Sequence, residues 1–427
     1  MAQTNIRKVE SALLREFYYE IDHPSGLKIL VYPKEKYTST YAMFGTHYGS
    51  IDTDFRLSGE TEFTSVPDGI AHFLEHKLFE SEDLDAFERY AKTGASANAY
   101  TSFDKTCYLF SCTDNFTDSL EILLDFVTHP YFTEATVQKE QGIIGQEIQM
   151  CRDEAGWESL FLLLRAMYRN CPVRIDIAGT VESISHITAD LLYKCYNTFY
   201  NLSNMVLCVA GNVTPEAVLE VADRILKPAT PVNIERKFHE EPRAVKEEYA
   251  EETLAVASPI FSLGFKEAIA SPERSLKEVI ISNLLLDAIC GKTTPFYTEL
   301  LDSGLINTSF DWEYFYGYGY AATIFTGETN DARAVEEKIV NRIRELQESG
   351  ISKADFERIR KKHYGRTVMQ FNDIEAIANN MVSSYFRGES LFDDAEIIQS
   401  LTLDEVNARL RTALDTNCRS LTVIKGE

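Results

Sequence analysis

No run of about 18 uncharged apolar residues occurs in the 427-residue chain, so no helix that crosses a bilayer is expected. Basic residues are scarce beside acidic ones: 42 Lys and Arg against 66 Asp and Glu leave a formal charge of −24. Phosphate backbones are gripped by clustered Lys and Arg, so nucleic acid is excluded as a partner. An acidic surface of this kind serves solubility. The eight cysteines (107, 112, 151, 171, 195, 208, 290 and 418) include no C-x-x-C pair. That excludes a disulfide framework and a cysteine zinc site, and predicts reduced thiols packed in apolar surroundings. The opening "MAQTNIRKVESALLREF" lacks the apolar stretch of a secretory signal. Arg7, Lys8 and Arg15 lend it a faint organelle-targeting flavour that Glu10 and Glu16 oppose. The expected location is the cytoplasm.

What the chain does have is the composition of a folded protein, 44% hydrophobic and 11% aromatic, over a length that fits two to three domains. "LKILVYP" and "YAMFGTHYGSI" read as strands, and "DGIAHFLEHKLF" as a helix capped by Asp68. "LDAFERYAKTG" reads as a second helix stopped by Gly94, and "ASANAYTSFDKTCYLFSCT" as two strands joined by a polar turn. "TEATVQKEQGIIGQEIQMC" follows as an amphipathic helix. Residues 227–253 are rich in proline and charge, which predicts a surface linker over 229–250 with little regular structure.

The second half then replays the first. "YAKTGASANAYTSFDKTCYLFSCT" around Gly94 resembles "ELLDSGLINTSFDWEYFYGYGYAATIFTGET" around Gly304, 210 residues later. "TEATVQKEQGIIGQE" lies opposite "SKADFERIRKKHYGR", offset by 219. A repeat of this length predicts two similar α+β domains, residues 1–228 and 251–427, each a mostly antiparallel sheet packed with helices.

His72, Glu75 and His76 fall together in "HFLEH". On a helix His72 and His76 project from one face a turn apart, within reach of one ion. Zinc accepts His nitrogen at roughly 2.0–2.1 Å and prefers tetrahedral coordination. Glu75 adjoins that face, placed to act on a water rather than to fill a ligand position. H-x-x-E-H is the inverted zinc-peptidase signature. The bland alternative is a polar stripe facing solvent. Against it, Ile70, Ala71, Phe73, Leu74 and Leu78 predict a largely buried helix, where two His and a Glu without partners would cost several kcal/mol. A catalytic zinc needs a third protein ligand. Glu140, Glu147 and Glu154 are each seven apart and would share a face on one helix, with Ile143, Ile144 and Ile148 as its buried side. Spacing alone does not choose among the three.

Taken together, "HFLEH", "SANAYTSFDKTCY" and "EQGIIGQE" resemble the pitrilysin–insulinase family of zinc peptidases, which includes the mitochondrial processing peptidases. "KEQGIIGQEI" and "RIDIAGTVESI" are most similar to its bacterial insulinase-like branch. The likeness covers the whole chain in architecture, with the diagnostic motifs in residues 45–180. The family follows H-x-x-E-H with E-x(6)-E, whose second Glu is a ligand. The resemblance therefore implies Zn2+ held by His72, His76 and Glu147, with Glu140 orienting the site. It implies Glu75 as the general base of an endopeptidase acting on peptides or extended protein segments. Glu147 lies 71 residues beyond His76 and Glu154 78, so Glu154 stays an alternative ligand. The strand holding Asn98 and Ala99 is implied to pair with the substrate backbone, an ordinary polar turn being the other reading.

The second half lacks these ligands. "SNLLLDAICG" lies opposite "HFLEH", and Ile359 and Arg366 lie opposite Glu140 and Glu147. Active relatives carry an Arg and, seven residues on, a Tyr in their far half; the matching positions here are Thr298 and Leu305. Family enzymes close a chamber from four such domains, and two domains form half of that clamshell. The resemblance thus implies a dimer, a heterodimer with a metal-free sister subunit being favoured over a homodimer. The missing pair keeps a second reading open, a non-catalytic or partner-dependent subunit that binds or scaffolds.

Overall fold

The computed structural model describes residues 4–82, 84–268 and 273–426. The first half of the chain forms strands β1 (Asn5–Ser11), β2 (Glu16–Asp22), β3 (Lys28–Pro33), β4 (Thr40–Thr46), β5 (Asp54–Leu57), β6 (Thr64–Ser65), β7 (Ser96–Thr101), β8 (Thr106–Cys112) and β9 (Met205–Gly211). Its helices are α1 (Ile70–Leu78), α2 (Ala86–Thr93), α3 (Phe116–Thr128), α4 (Glu134–Asp153), α5 (Ala155–Met167), α6 (Val181–Ile184), α7 (Ala189–Phe199) and α8 (Pro215–Ile225). The rest adds β10 (Ile234–Arg236), β11 (Tyr249–Thr253), β12 (Ile260–Lys266), β13 (Asp311–Gly317), β14 (Tyr320–Glu328) and β15 (Arg419–Lys425). Its helices are α9 (Leu276–Cys290), α10 (Pro295–Asp302), α11 (Ala332–Ser349), α12 (Lys353–Gln370), α13 (Ile374–Phe386), α14 (Asp393–Ser400) and α15 (Leu403–Ala413).

A seven-stranded sheet runs β1-β2-β3-β9-β4-β8-β7, a five-stranded sheet β11-β15-β12-β14-β13, and β10-β5-β6 forms a small third one. In the seven-stranded sheet, β4 and β9 are buried along their whole length, as continuous apolar runs covered on both faces are. Neighbouring strands are antiparallel except β3 with β9 and β11 with β15. The order β3-β9-β4-β8-β7 is therefore repeated, direction included, by β11-β15-β12-β14-β13. This is the α+β duplication the sequence predicts. Gly94 and Gly304, placed alike ahead of the edge strands β7 and β13, both take the left-handed conformation (φ 76° and 72°).

The compact units do not follow the linear halves. One gathers the chain up to Gln146 with Asp176–Lys237 and Val368–Asp393; the other gathers Glu147–Ile175, Phe238–Thr367 and the chain from Asp394. A helix is exchanged in each direction. In the first unit α13 covers β4 and β9, and in the second α5 covers β11, β12 and β15. A glycine at the same repeat position of each sheet admits the helix. A Cβ on Gly45 of β4 would lie 3.0 Å from Val382, and one on Gly264 of β12 would lie 2.5 Å from Met167 Sδ. Behind them Met43, Val206 and Cys208 pack on Ile377, Ala378 and Met381 in the first unit. Hydrophobic burial of this kind, roughly 1.5–3 kcal/mol for each fully buried large side chain, decides which sheet a helix joins. The expected division at 229–250 cannot register that choice. The regular structure within that segment is β10, paired with β5, and the first two residues of β11.

Glu241 anchors this segment within the second unit. Its carboxylate accepts the backbone N–H groups of Arg169 (2.9 Å), Asn170 (2.7 Å) and Cys171 (2.8 Å). Lys266 Nζ donates to it at 2.7 Å and to the Met167 carbonyl at 2.9 Å. Burial works to raise the Glu241 carboxyl, but Lys266 and the three N–H groups together hold it below its ordinary range. Both side chains are almost wholly enclosed, and breaking such a pair from one side costs about 3–5 kcal/mol. Lys266→Met is expected to lose stability on that scale in urea titrations, with Glu241→Gln in the same chain recovering part of it.

In the first unit the His47 ring stacks on Phe386 at 4.9 Å. Burial first, and the nearby Arg236 guanidinium second, push its imidazole down to about 4. The unfolded chain protonates His near 6.5. The neutral ring therefore contributes fully above about pH 6.5, and on the order of 3 kcal/mol is lost as pH falls toward 4. His47→Phe should flatten the dependence of melting temperature on pH across that window.

Candidate metal centre

α1 is enclosed nearly all round, every residue in it except His76 being buried. It does not begin at an Asp68 cap as expected. Gly69 caps it instead at φ 87°, where a Cβ would stand 2.3 Å from the Ala178 carbonyl oxygen. The segment "DIAGTVES" crosses the helix start, and Gly179 reciprocates, its own Cβ position falling 2.5 Å from the Asp68 carbonyl oxygen. That oxygen accepts the Ser183 hydroxyl at 2.9 Å. Backbone contact on both sides leaves no room for a side chain, so the two glycines fix where α1 starts.

From this helix the His72 and His76 rings lie 4.6 Å apart, their planes inclined at 57°. α4, one continuous helix of 20 residues, presents Glu140 and Glu147 two turns apart. Glu140 Oε1 meets His76 Nδ1 at 3.0 Å. A carboxylate there fixes the ring and its tautomer and leaves Nε2 as the metal-binding nitrogen. Ligand atoms of His72, His76 and Glu147 all lie within 4.8 Å of one another, the one such cluster of three among the described residues. A tetrahedral zinc with bonds of roughly 2.0–2.1 Å needs donors about 3.4 Å apart, so side-chain shifts of about 1 Å close the set around an ion. Two imidazoles and one carboxylate are the donor set of a catalytic rather than a structural zinc. The residues fit the metal.

Glu154 does not join them. α4 ends at Asp153, and Glu154 caps α5 by accepting the N–H groups of Gly156 (3.1 Å) and Trp157. The seven-residue spacing would have aligned it only on an unbroken helix. Ile143 also departs from expectation: it is 48% exposed, while Ile144 and Ile148 are buried.

Glu75 is 8% exposed, and its Oε2 accepts the Thr101 hydroxyl at 2.6 Å. Sequence reasoning missed Thr101. The available signal was strand alternation, which puts Ala97, Ala99 and Thr101 on one face of β7, where two small residues precede a hydroxyl. β7 ends its sheet, paired among the described residues only with β8. On it Asn98 is exposed, and its Oδ1 accepts the Ala99 N–H at 2.9 Å. In the second unit Thr298 lies inside α10, and Leu305 is half-buried against that unit's core.

Two family models match the chain. Residues 61–181 fit the model of insulinase, peptidase family M16, and residues 186–362 fit that of the M16 inactive domain. The uncharacterized zinc protease YmfH of Bacillus subtilis is 43% identical over 406 residues, covering 94% of this chain and 95% of that one. The chain belongs to the M16 peptidase family. The crystal structure of an M16-like peptidase from Alicyclobacillus acidocaldarius superposes with a TM-score of 0.91 at 35% identity, over 100% of this chain and 99% of that one. The mitochondrial-processing peptidase subunit beta of Caenorhabditis elegans, a more distant M16 relative, is 28% identical over 207 residues, 47% of this chain and 43% of its own. In this M16 chain no helix among the described residues is long and apolar enough to cross a membrane.

Proposed function

We propose that the chain is a zinc-dependent endopeptidase acting on peptides or extended protein segments. The observation that carries this reading is the convergence of His72, His76 and Glu147 beside a nearly buried Glu75. Bound there, zinc would supply a Lewis acid that eases ionisation of water and polarises a peptide carbonyl. His72, His76 and Glu147 would hold the ion, and Glu140 would keep His76 in the tautomer that presents Nε2. Glu75 takes the proton of the attacking water and returns it to the departing amine. The Thr101 hydroxyl donates to Oε2 of Glu75 and so orients the carboxylate that carries that proton. An extended segment adds to the free side of β7, its carbonyl replacing the Asn98 amide oxygen on the Ala99 N–H. Recognition through the backbone selects unfolded segments over particular side chains.

We further infer a dimer, with a metal-free sister subunit favoured over a second copy. Thr298 and Leu305 stand where an Arg-Tyr pair is expected, and the M16 relative from C. elegans is itself named as a subunit. The same two positions are what favours the other reading, a subunit without activity of its own. The eight cysteines, all free, suit a reducing compartment such as the cytoplasm. An internally quenched, unstructured decapeptide tests the main reading. Cleavage is expected to stop on chelation and return with Zn2+. No cleavage by the zinc-loaded chain, alone or with a metal-free homologue, would refute it.

A further inference from the structure

We propose that the second unit binds the C-terminal carboxylate of an extended peptide, in the pocket where α9, α12 and the start of β13 meet. This goes beyond the hydrolytic reading and does not depend on it. The cavity, about 270 Å³, is lined by Asn283 and Asp287 of α9, Lys292, Trp312 of β13, and Lys362 and Arg366 of α12, among others. Three fixed cations thus face two carboxylates, Asp287 and Asp311, in a chain whose overall charge is −24. One of those carboxylates is already engaged. Asp287, its side chain 4% exposed, takes Lys362 Nζ on both oxygens (2.7 and 2.8 Å) and His363 Nε2 at 2.8 Å. It therefore holds Lys362 in place rather than repelling an incoming anion. Lys292 and Arg366 are exposed and make no ion pair among the described residues.

The duplication shows how the pocket arose. A shift of 211 sets Asn283, Leu286 and Asp287 against His72, Glu75 and His76, and the shift of 219 sets Arg366 against Glu147. Where the first half gathers donors for a cation, the second puts a guanidinium and two ammonium groups. The charge preference of the site is reversed. An anion is what it suits, and a planar carboxylate can meet Arg366 through two parallel N–H bonds.

The neighbouring strand says which anion. β13 ends the five-stranded sheet, with β14 on one side and no strand on the other among the described residues. A segment adding antiparallel to β13 runs against it, so its last residue arrives at Asp311 and Trp312, beside the cations. A segment adding parallel would bring its ammonium end there instead, against Lys292 and Arg366. Antiparallel addition with a free carboxylate satisfies both the strand edge and the charge.

The chain contains two tryptophans, so Trp157→Phe leaves Trp312 as the sole indole reporter. The full-length protein with that change and Glu75→Gln is titrated with a hexapeptide of alternating Thr and Val, as free acid and as C-terminal amide. The acid is expected to shift Trp312 emission and to bind at least about tenfold more tightly than the amide. That preference should vanish in Arg366→Ala, whose exposed position spares the fold, and weaken with added salt. Equal affinity for acid and amide would overturn the proposal. So would a preference that survives Arg366→Ala. Inorganic phosphate shifting Trp312 emission at the same concentration as the peptide acid would also overturn it, leaving a bare anion hole.

Discussion

Glu75→Gln is expected to keep its zinc and lose turnover by about 10⁴-fold, the upper end of what one general acid–base group contributes. The upper end applies because one carboxylate serves both transfers, taking the proton from water and delivering it to the amine. The amide is nearly isosteric, so the helix and the Thr101 contact at 2.6 Å are preserved while the basic oxygen is gone. Thr101→Val should behave differently. It frees Oε2 without removing the base, so kcat should fall about tenfold with KM little changed. Metal content by elemental analysis, read beside kcat, separates the cases. A Glu75→Gln protein that retains a tenth of the wild-type rate, or that loses rate only because it loses zinc, removes Glu75 from the mechanism.

The ligand set makes the second large prediction. Structural zinc sites bind with an apparent 10–16 kcal/mol, about 3 kcal/mol for each of four ligands, so Glu147→Ala should weaken zinc by at least about 100-fold. Glu140→Gln loosens the His76 ring without removing a donor and should cost about 10–100-fold. Glu154→Ala should leave zinc affinity alone and cost about 1 kcal/mol of stability through the lost cap on α5. Competition with a fluorescent chelator ranks the three. A larger loss from Glu154→Ala than from Glu147→Ala would reverse the assignment.

Much of this was legible in the residues because the signals are local. His72 and His76 share a face through helical periodicity alone, and the β7-β8 and β13-β14 hairpins are visible as alternation broken by glycine and polar turns. The duplication was legible because the same hairpin recurs after the same glycine stop. Other features depended on contacts distant in sequence. Thr101 is an unremarkable strand threonine until α1 packs on β7 and brings Glu75 to its hydroxyl. The Gly69 start of α1 is set by backbone 110 residues away, at Gly179, and no local propensity encodes it.

By itself the sequence determined the repeated α+β halves, the pairing of two imidazoles on one helix face, and the absence of a second ligand set. Each is a matter of residue type and period, which the chain carries before it folds. Only the tertiary structure sets Glu147 beside His72 and His76 and Glu154 at the start of α5, because that depends on where α4 ends and α5 begins. It alone assigned α5 and α13 to the sheets they cover. Those helices are apolar enough to bury against either sheet, and the choice fell to packing, at Gly45 and Gly264, where a missing side chain lets one particular helix approach.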